Sequence, residues 1–141
     1  IILNLILKYT YKMYDKQWYQ DLNKSSLTPP DKVFGIVWPL LYISLITYGV
    51  LTGIDEKCVG FCTPLIFFTI QMVLNLCWTT IFFKLRMLKT AFIIILVMIT
   101  LTIFTMYETW NLDMKYFYIL IPYLLWISFA SYLNGYIVFN N

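Results

Sequence analysis

Apolar residues run almost unbroken over 33–54, 59–83, 91–107 and 116–139, and short polar or charged groups separate the runs. A helix needs about 20 such residues to cross a hydrocarbon core roughly 30 Å thick, so the pattern predicts membrane-spanning helices over these four ranges. A fifth apolar segment opens the chain. Ile1 to Leu7 is followed by Tyr9, Tyr11 and Tyr14 with Lys8 and Lys12, the aromatic and basic anchors of a helix emerging through a membrane interface. It predicts a short helix over 1–14. The expected fold class is an all-α integral membrane protein, a five-transmembrane-helix bundle forming one domain over 1–141.

Between the runs, Asp55-Glu56-Lys57, the basic turn 84–89 and the loop 108–115 are short enough to bring successive helices back antiparallel. The segment 15–32 is the long polar stretch. Its Trp18 and Tyr19 predict a loop folded back onto the bundle as a lid. Pro29 and Pro30 close that loop, because a proline is tolerated in the first turn of a helix but cannot extend one running into it. The first residue is Ile1, and neither the basic stretch nor the small-residue cleavage site of a signal peptide is seen. The chain is therefore expected to start inside, or just before, a first spanning helix whose beginning is trimmed or processed.

Composition moves the reading further toward a bilayer: 61% apolar residues, 12% charged residues and a mean hydropathy of +0.75 exceed what a water-exposed surface carries. Lys12, Lys16, Lys24 and Lys32 gather before the 33–54 run, and Lys84, Arg86 and Lys89 before the 91–107 run. With five crossings these groups share one side, and the positive-inside rule makes it cytoplasmic, together with the C-terminal end. Histidine is absent, which excludes a histidine-based metal site, haem ligation or hydrolase. Cys58 and Cys62, four apart beside the start of a helix, read as small apolar residues, with a disulfide or a metal clip as the alternative. No metal and no nucleic acid are expected. Gly49 with Gly53, and Ser131 with Gly135, are small residues spaced for close helix contact, within the bundle or between subunits.

Three of the apolar runs carry side chains that a lipid-facing surface does not need. Trp38 and Tyr42 are one helical turn apart, Asn75, Trp78 and Phe82 follow at spacings of three and four, and Pro122, Trp126 and Ala130 repeat the turn. An amide in hydrocarbon needs a partner, so Asn75 and Asn134 should face the interior. Bonding across helices is the plain use for both. Pro122 frees the carbonyl of Tyr118 and is expected to bend its helix, leaving room beside Trp126 and Ala130 for a flat molecule. Trp110, at a helix end, reads as interface belt.

Taken in order, these segments resemble the TspO family, also called the translocator protein or tryptophan-rich sensory protein family. The segments that carry the resemblance are Trp18-Tyr19 with Leu22 and Lys24; Pro29-Pro30 with Val33-Phe34, Val37-Trp38 and Leu41-Tyr42; Leu74-Asn75 with Trp78 and Phe82-Phe83; and Pro122-Tyr123-Leu124-Leu125-Trp126 with Phe129-Ala130 and Leu133-Asn134. The resemblance implies a five-helix bundle, often dimeric, whose first loop caps a pocket opening toward the cytoplasm, with porphyrins, sterols and benzodiazepine-type compounds as ligands. It implies a pocket lined by Trp38, Asn75, Trp78, Trp126 and Ala130, with Tyr42 and Pro122 nearby, under a lid of Trp18, Lys24, Pro29, Pro30 and Lys32. The chain departs from the family at Ser25 and Lys32 in the lid and in the aliphatic residues around Ile94. Tyr136 is followed by no basic residue, so the sterol-recognition pattern is incomplete.

The expected function is a membrane receptor or carrier for a planar hydrophobic ligand such as a porphyrin, bound as ligand and not as cofactor. The tryptophans would stack on the macrocycle, Asn75 would orient a polar edge, and Lys24 and Lys32 would neutralise carboxylates. The alternative is an accessory subunit of a larger membrane complex that retains the fold. A weaker one is light- and oxygen-dependent porphyrin breakdown at Trp38 and Trp126, since no acid, base or metal constellation supports ordinary catalysis. The membrane would be mitochondrial in a eukaryote and that of the cell envelope in a bacterium.

Overall fold

The computed structural model describes Tyr19 and residues 21–141. The helix expected over 1–14 and Trp18 of the lid lie outside the described residues. Four long helices follow: α1 (Asp31–Ile54), α2 (Thr63–Thr79), α3 (Leu88–Leu112) and α4 (Met114–Asn140). All four are long and apolar enough to cross a membrane, α2 together with the turn that continues it to Lys84. α3 packs along both α2 and α4, while α1 leans on α4 and touches α2 more lightly. The buried face of α3, with Ala91, Ile95, Met98, Thr102, Thr105 and Thr109, recurs at helical spacing. Thr102, Thr105 and Thr109 return their hydroxyls to the carbonyl four residues earlier, so no hydroxyl on this face needs water.

Helix boundaries differ from the sequence reading in three places, each for a local reason. The run 59–83 becomes a helix only at Thr63, because Cys58 and Cys62 are joined by a disulfide with Cα atoms 5.2 Å apart. This corrects the reading of the pair as plain apolar residues. Gly60 makes the bridge reachable by taking a φ of +65°, a left-handed turn that glycine enters without a Cβ clash. Replacing both cysteines with serine is expected to cost about 2 kcal/mol, the chain-entropy value for so short a closed loop. Intact mass under non-reducing conditions showing two free thiols here, or a melting temperature indifferent to reductant, would refute the cross-link.

At its other end α2 continues as a π-helical turn, Thr80–Lys84, closed by the Leu85 amide on the Thr80 carbonyl at 3.0 Å. The extra residue rotates the last turn inward, so that Phe82 is buried beneath Trp78, their rings stacked at 5.0 Å.

The run 91–107 extends to 25 residues, Leu88–Leu112, and the loop expected over 108–115 shrinks to Asp113. Glu108 does not end the helix, since 25 residues rise about 37 Å and overshoot the hydrocarbon into the headgroup layer, where a charge is solvated. Asp113 caps α4 by accepting from the Lys115 amide at 2.9 Å. At the same end, Asp55 accepts from the Lys57 amide and from the Tyr116 hydroxyl, each at 2.8 Å. These donors hold its carboxyl below the usual carboxylate range and tie the end of α1 to the start of α4.

Two of the small residues, Gly49 and Gly135, serve close contacts inside the bundle. A Cβ on Gly49 would lie 3.2 Å from Phe68 of α2, and one on Gly135 would lie 2.8 Å from Phe92 of α3.

Candidate functional site: an aromatic cage and a polar node

Phe34, Trp38 and Tyr42 fall at intervals of four along α1 and form one aromatic ridge. α4 answers with Trp126, whose ring centroid is 5.5 Å from Phe34 and 6.1 Å from Trp38, edge to face in both cases. Phe129 closes on the other side of Trp126 at 6.0 Å. The indole Nε1 of Trp126 is buried and makes no hydrogen bond. A donor left without a partner in an apolar setting is costly, and here it sits among the rings of the cage.

Directly below the cage runs a chain of hydrogen bonds through three helices. The Tyr42 hydroxyl donates to Asn75 Oδ1 at 2.6 Å, Asn75 Nδ2 donates to the Tyr123 hydroxyl at 2.8 Å, and that hydroxyl donates to Gln71 Oε1 at 2.7 Å. All four residues are buried. The node joins α1, α2 and α4, and so links α1 to α2, which otherwise pack only lightly on each other.

The predicted pocket residues therefore fall into three groups. Trp38, Tyr42 and Trp126 come together directly, with buried Ala130 one turn beyond Trp126. Asn75 joins them through the Tyr42 hydroxyl. Trp78 lies nearer the lid, where its Nε1 donates to Asn134 Oδ1 at 3.2 Å and Asn134 Nδ2 donates to the Leu88 carbonyl at 3.3 Å. Asn134 thus bonds across helices. Pro122 is exposed on the outer side of α4, which continues through it as one helix.

The lid folds against the bundle. Tyr19 packs on Phe82 and Phe83. Lys24 places its ammonium 4.3 Å above the Tyr19 ring and donates to the Tyr19 carbonyl at 3.0 Å. Asn23 exchanges hydrogen bonds with Asn140 and Asn141 at 3.0–3.1 Å, and Ser25 bonds the Tyr132 hydroxyl at 2.9 Å. Pro29 is half-buried, whereas Pro30 and Lys32 are exposed. A cavity of about 830 Å³ lies between this loop and the last turns of α4. It is lined by lid and α4 residues, and none of the described tryptophans borders it.

Sequence reasoning missed Gln71 and Tyr123 as members of the node. Gln71 is four residues before Asn75, which puts two amides on one face of a membrane helix, and that spacing was the available signal. Tyr123 is an ordinary aromatic until its helix is rotated into place.

Comparison with known proteins places the chain in a family. Residues 1–139 match the TspO/MBR family. The chain is 31% identical to the tryptophan-rich sensory protein of Cereibacter sphaeroides over 118 residues, 84% of this chain and 73% of that protein. It is 32% identical to protein CrtK of Rhodobacter capsulatus over 119 residues, 83% and 74% of the two chains. Against the human translocator protein it is 32% identical over 123 residues, 84% and 71%. A match over nearly the whole chain, with relatives covered for more than two thirds of their length, means that this integral membrane protein of apolar helices belongs to the TspO/MBR family.

Proposed function

We propose that the chain is a membrane receptor or carrier for a planar hydrophobic ligand of the tetrapyrrole class, held at the cage of Phe34, Trp38 and Trp126. The observation that carries this is the buried Trp126 Nε1 without a partner. A porphyrin offers both things the cage lacks, an extended π face for Trp38 and Trp126 and a ring-edge or carboxylate acceptor for the free indole donor. Tyr42 and Asn75 hold the floor of the cage in place through the polar node. Residues 1–14 complete a single five-helix domain, and the lid end faces the cytoplasm, because that end carries the basic turns. The incomplete sterol pattern after Tyr136 puts sterols second to porphyrins.

The test is quenching of tryptophan fluorescence by protoporphyrin in nanodiscs, comparing the wild type with Trp38→Phe, Trp126→Phe. Five tryptophans are present, so three remain to report binding in the double variant. Each aromatic contact is worth about 0.5–1.5 kcal/mol beyond its area, so the pair is expected to weaken binding by about tenfold or more. Unchanged affinity in a folded double variant would dismiss the cage as the site.

A further inference from the structure

The tryptophan cage does not account for the cavity under the lid. We propose that this cavity is a second binding site, for the phosphate headgroup of an anionic membrane lipid, with Lys24 as its cation. Lys24 lines the cavity and has no carboxylate partner among the described residues; its ammonium is steadied by the Tyr19 ring and by one hydrogen bond to the Tyr19 carbonyl. An ammonium has three donors, so two are left for an anion. Thr28 and Tyr136, also in the wall, have hydroxyls that find no hydrogen-bond partner among the described residues. Asn23 and Asn140 are also in the wall, and the Asn23 amide ties the lid to α4 by donating to the Asn140 carbonyl. At about 830 Å³ the space is far larger than an inorganic phosphate, and its hydroxyl and amide wall suits a headgroup that itself bears hydroxyls, such as phosphoglycerol.

Position in the membrane supports the same ligand. The cavity lies where α1 begins and α4 ends, the end that also holds the α2–α3 turn. Over residues 21–141 that end carries five basic positions, Lys24, Lys32, Lys84, Arg86 and Lys89, against Asp21 and Asp31, whereas the opposite end carries four acidic positions against Lys57 and Lys115. A basic end at the interface draws anionic lipid. Beside the cavity α4 exposes Tyr132, Tyr136 and Phe139, a strip along which acyl chains can lie while the headgroup sits under the lid. The site stands apart from the cage and does not depend on what the cage binds.

The test uses the full chain in a neutral detergent without porphyrin. Retention of lipid is read by native mass spectrometry and stabilisation by thermal melting, as short-chain phosphatidylglycerol, short-chain phosphatidylcholine or inorganic phosphate is titrated. Phosphatidylglycerol is expected to bind at least tenfold more tightly than phosphatidylcholine, and Lys24→Gln to abolish that preference while Lys24→Arg keeps it. Should Lys24→Gln fail to fold, Thr28→Val with Tyr136→Phe decides, the preference falling several-fold if the proposal holds and persisting in full if it does not. Equal retention of the two lipids by the wild type, or an undiminished preference in Lys24→Gln, overturns the site. Inorganic phosphate that stabilises the protein as strongly as phosphatidylglycerol overturns the lipid and leaves a simple anion.

Discussion

Replacing Asn75 with leucine is expected to destabilise the bundle by about 1–3 kcal/mol, the usual cost of a stranded buried polar group. Tyr42 donates to Asn75 Oδ1 and Tyr123 accepts from Asn75 Nδ2, so the amide connects three helices. Tyr123 keeps its bond to Gln71 after the change, but the Tyr42 hydroxyl is left in the core without an acceptor. Tyr42→Phe alone strands Asn75 Oδ1 in the same way. The double variant strands neither partner of that bond, and replacing both ends by apolar groups of similar shape is close to neutral. Thermal unfolding in detergent of the two single variants and the double variant measures the coupling directly. Losses that simply add would mean that the two residues do not share a hydrogen bond. A loss below about 0.6 kcal/mol in each single variant would place the node among average membrane hydrogen bonds, which have alternative partners in the unfolded state.

Gly135→Val is the second large effect, and it acts through volume. A Cβ at this position would fall 2.8 Å from Phe92 Cε2 and 3.2 Å from its Cζ, so α3 and α4 must separate or the ring must turn. Phe92 is half-buried and leans on Phe139 at 6.3 Å, which leaves it limited freedom. Overpacking of this kind costs about 1–3 kcal/mol. Gly53 supplies the control, because a Cβ there meets only Leu65 Cδ1 at 3.9 Å, an ordinary contact. Gly53→Ala is expected to be neutral or to gain up to about 1 kcal/mol from helix propensity. Gly49→Ala, with Phe68 at 3.2 Å, should fall between the two. Melting temperatures of the three variants that came out in any other order would show that α3 and α4 do not meet closely at Gly135.

The Trp38–Tyr42 face of the cage was legible in the sequence because aromatic residues spaced by a helical turn share a face whatever the partner helix does. That Trp126 would meet Trp38, while Trp78 turned toward Asn134 and the lid, depended on how α1, α2 and α4 are rotated against one another. Pro122 shows the limit of a spacing rule: it shares the i, i+4 row with Trp126, yet it is exposed while Trp126 and Ala130 turn progressively inward. The Cys58–Cys62 bridge was undecidable from spacing, since the same interval serves one helical turn or a bridged loop, and the left-handed Gly60 selected the loop.

The sequence by itself determined that this is an apolar helical membrane protein of the TspO/MBR family with one basic end, because hydrophobic run length, charge placement and motif order are properties of the linear chain. Tertiary structure alone decided the partners. Gln71 and Tyr123 joining Asn75, the Trp126 indole left without an acceptor, and a lid bound to the last turns of α4 over a polar cavity all arise from contacts between residues far apart in the chain. Their geometry is fixed by helix rotation and packing, which local pattern does not encode.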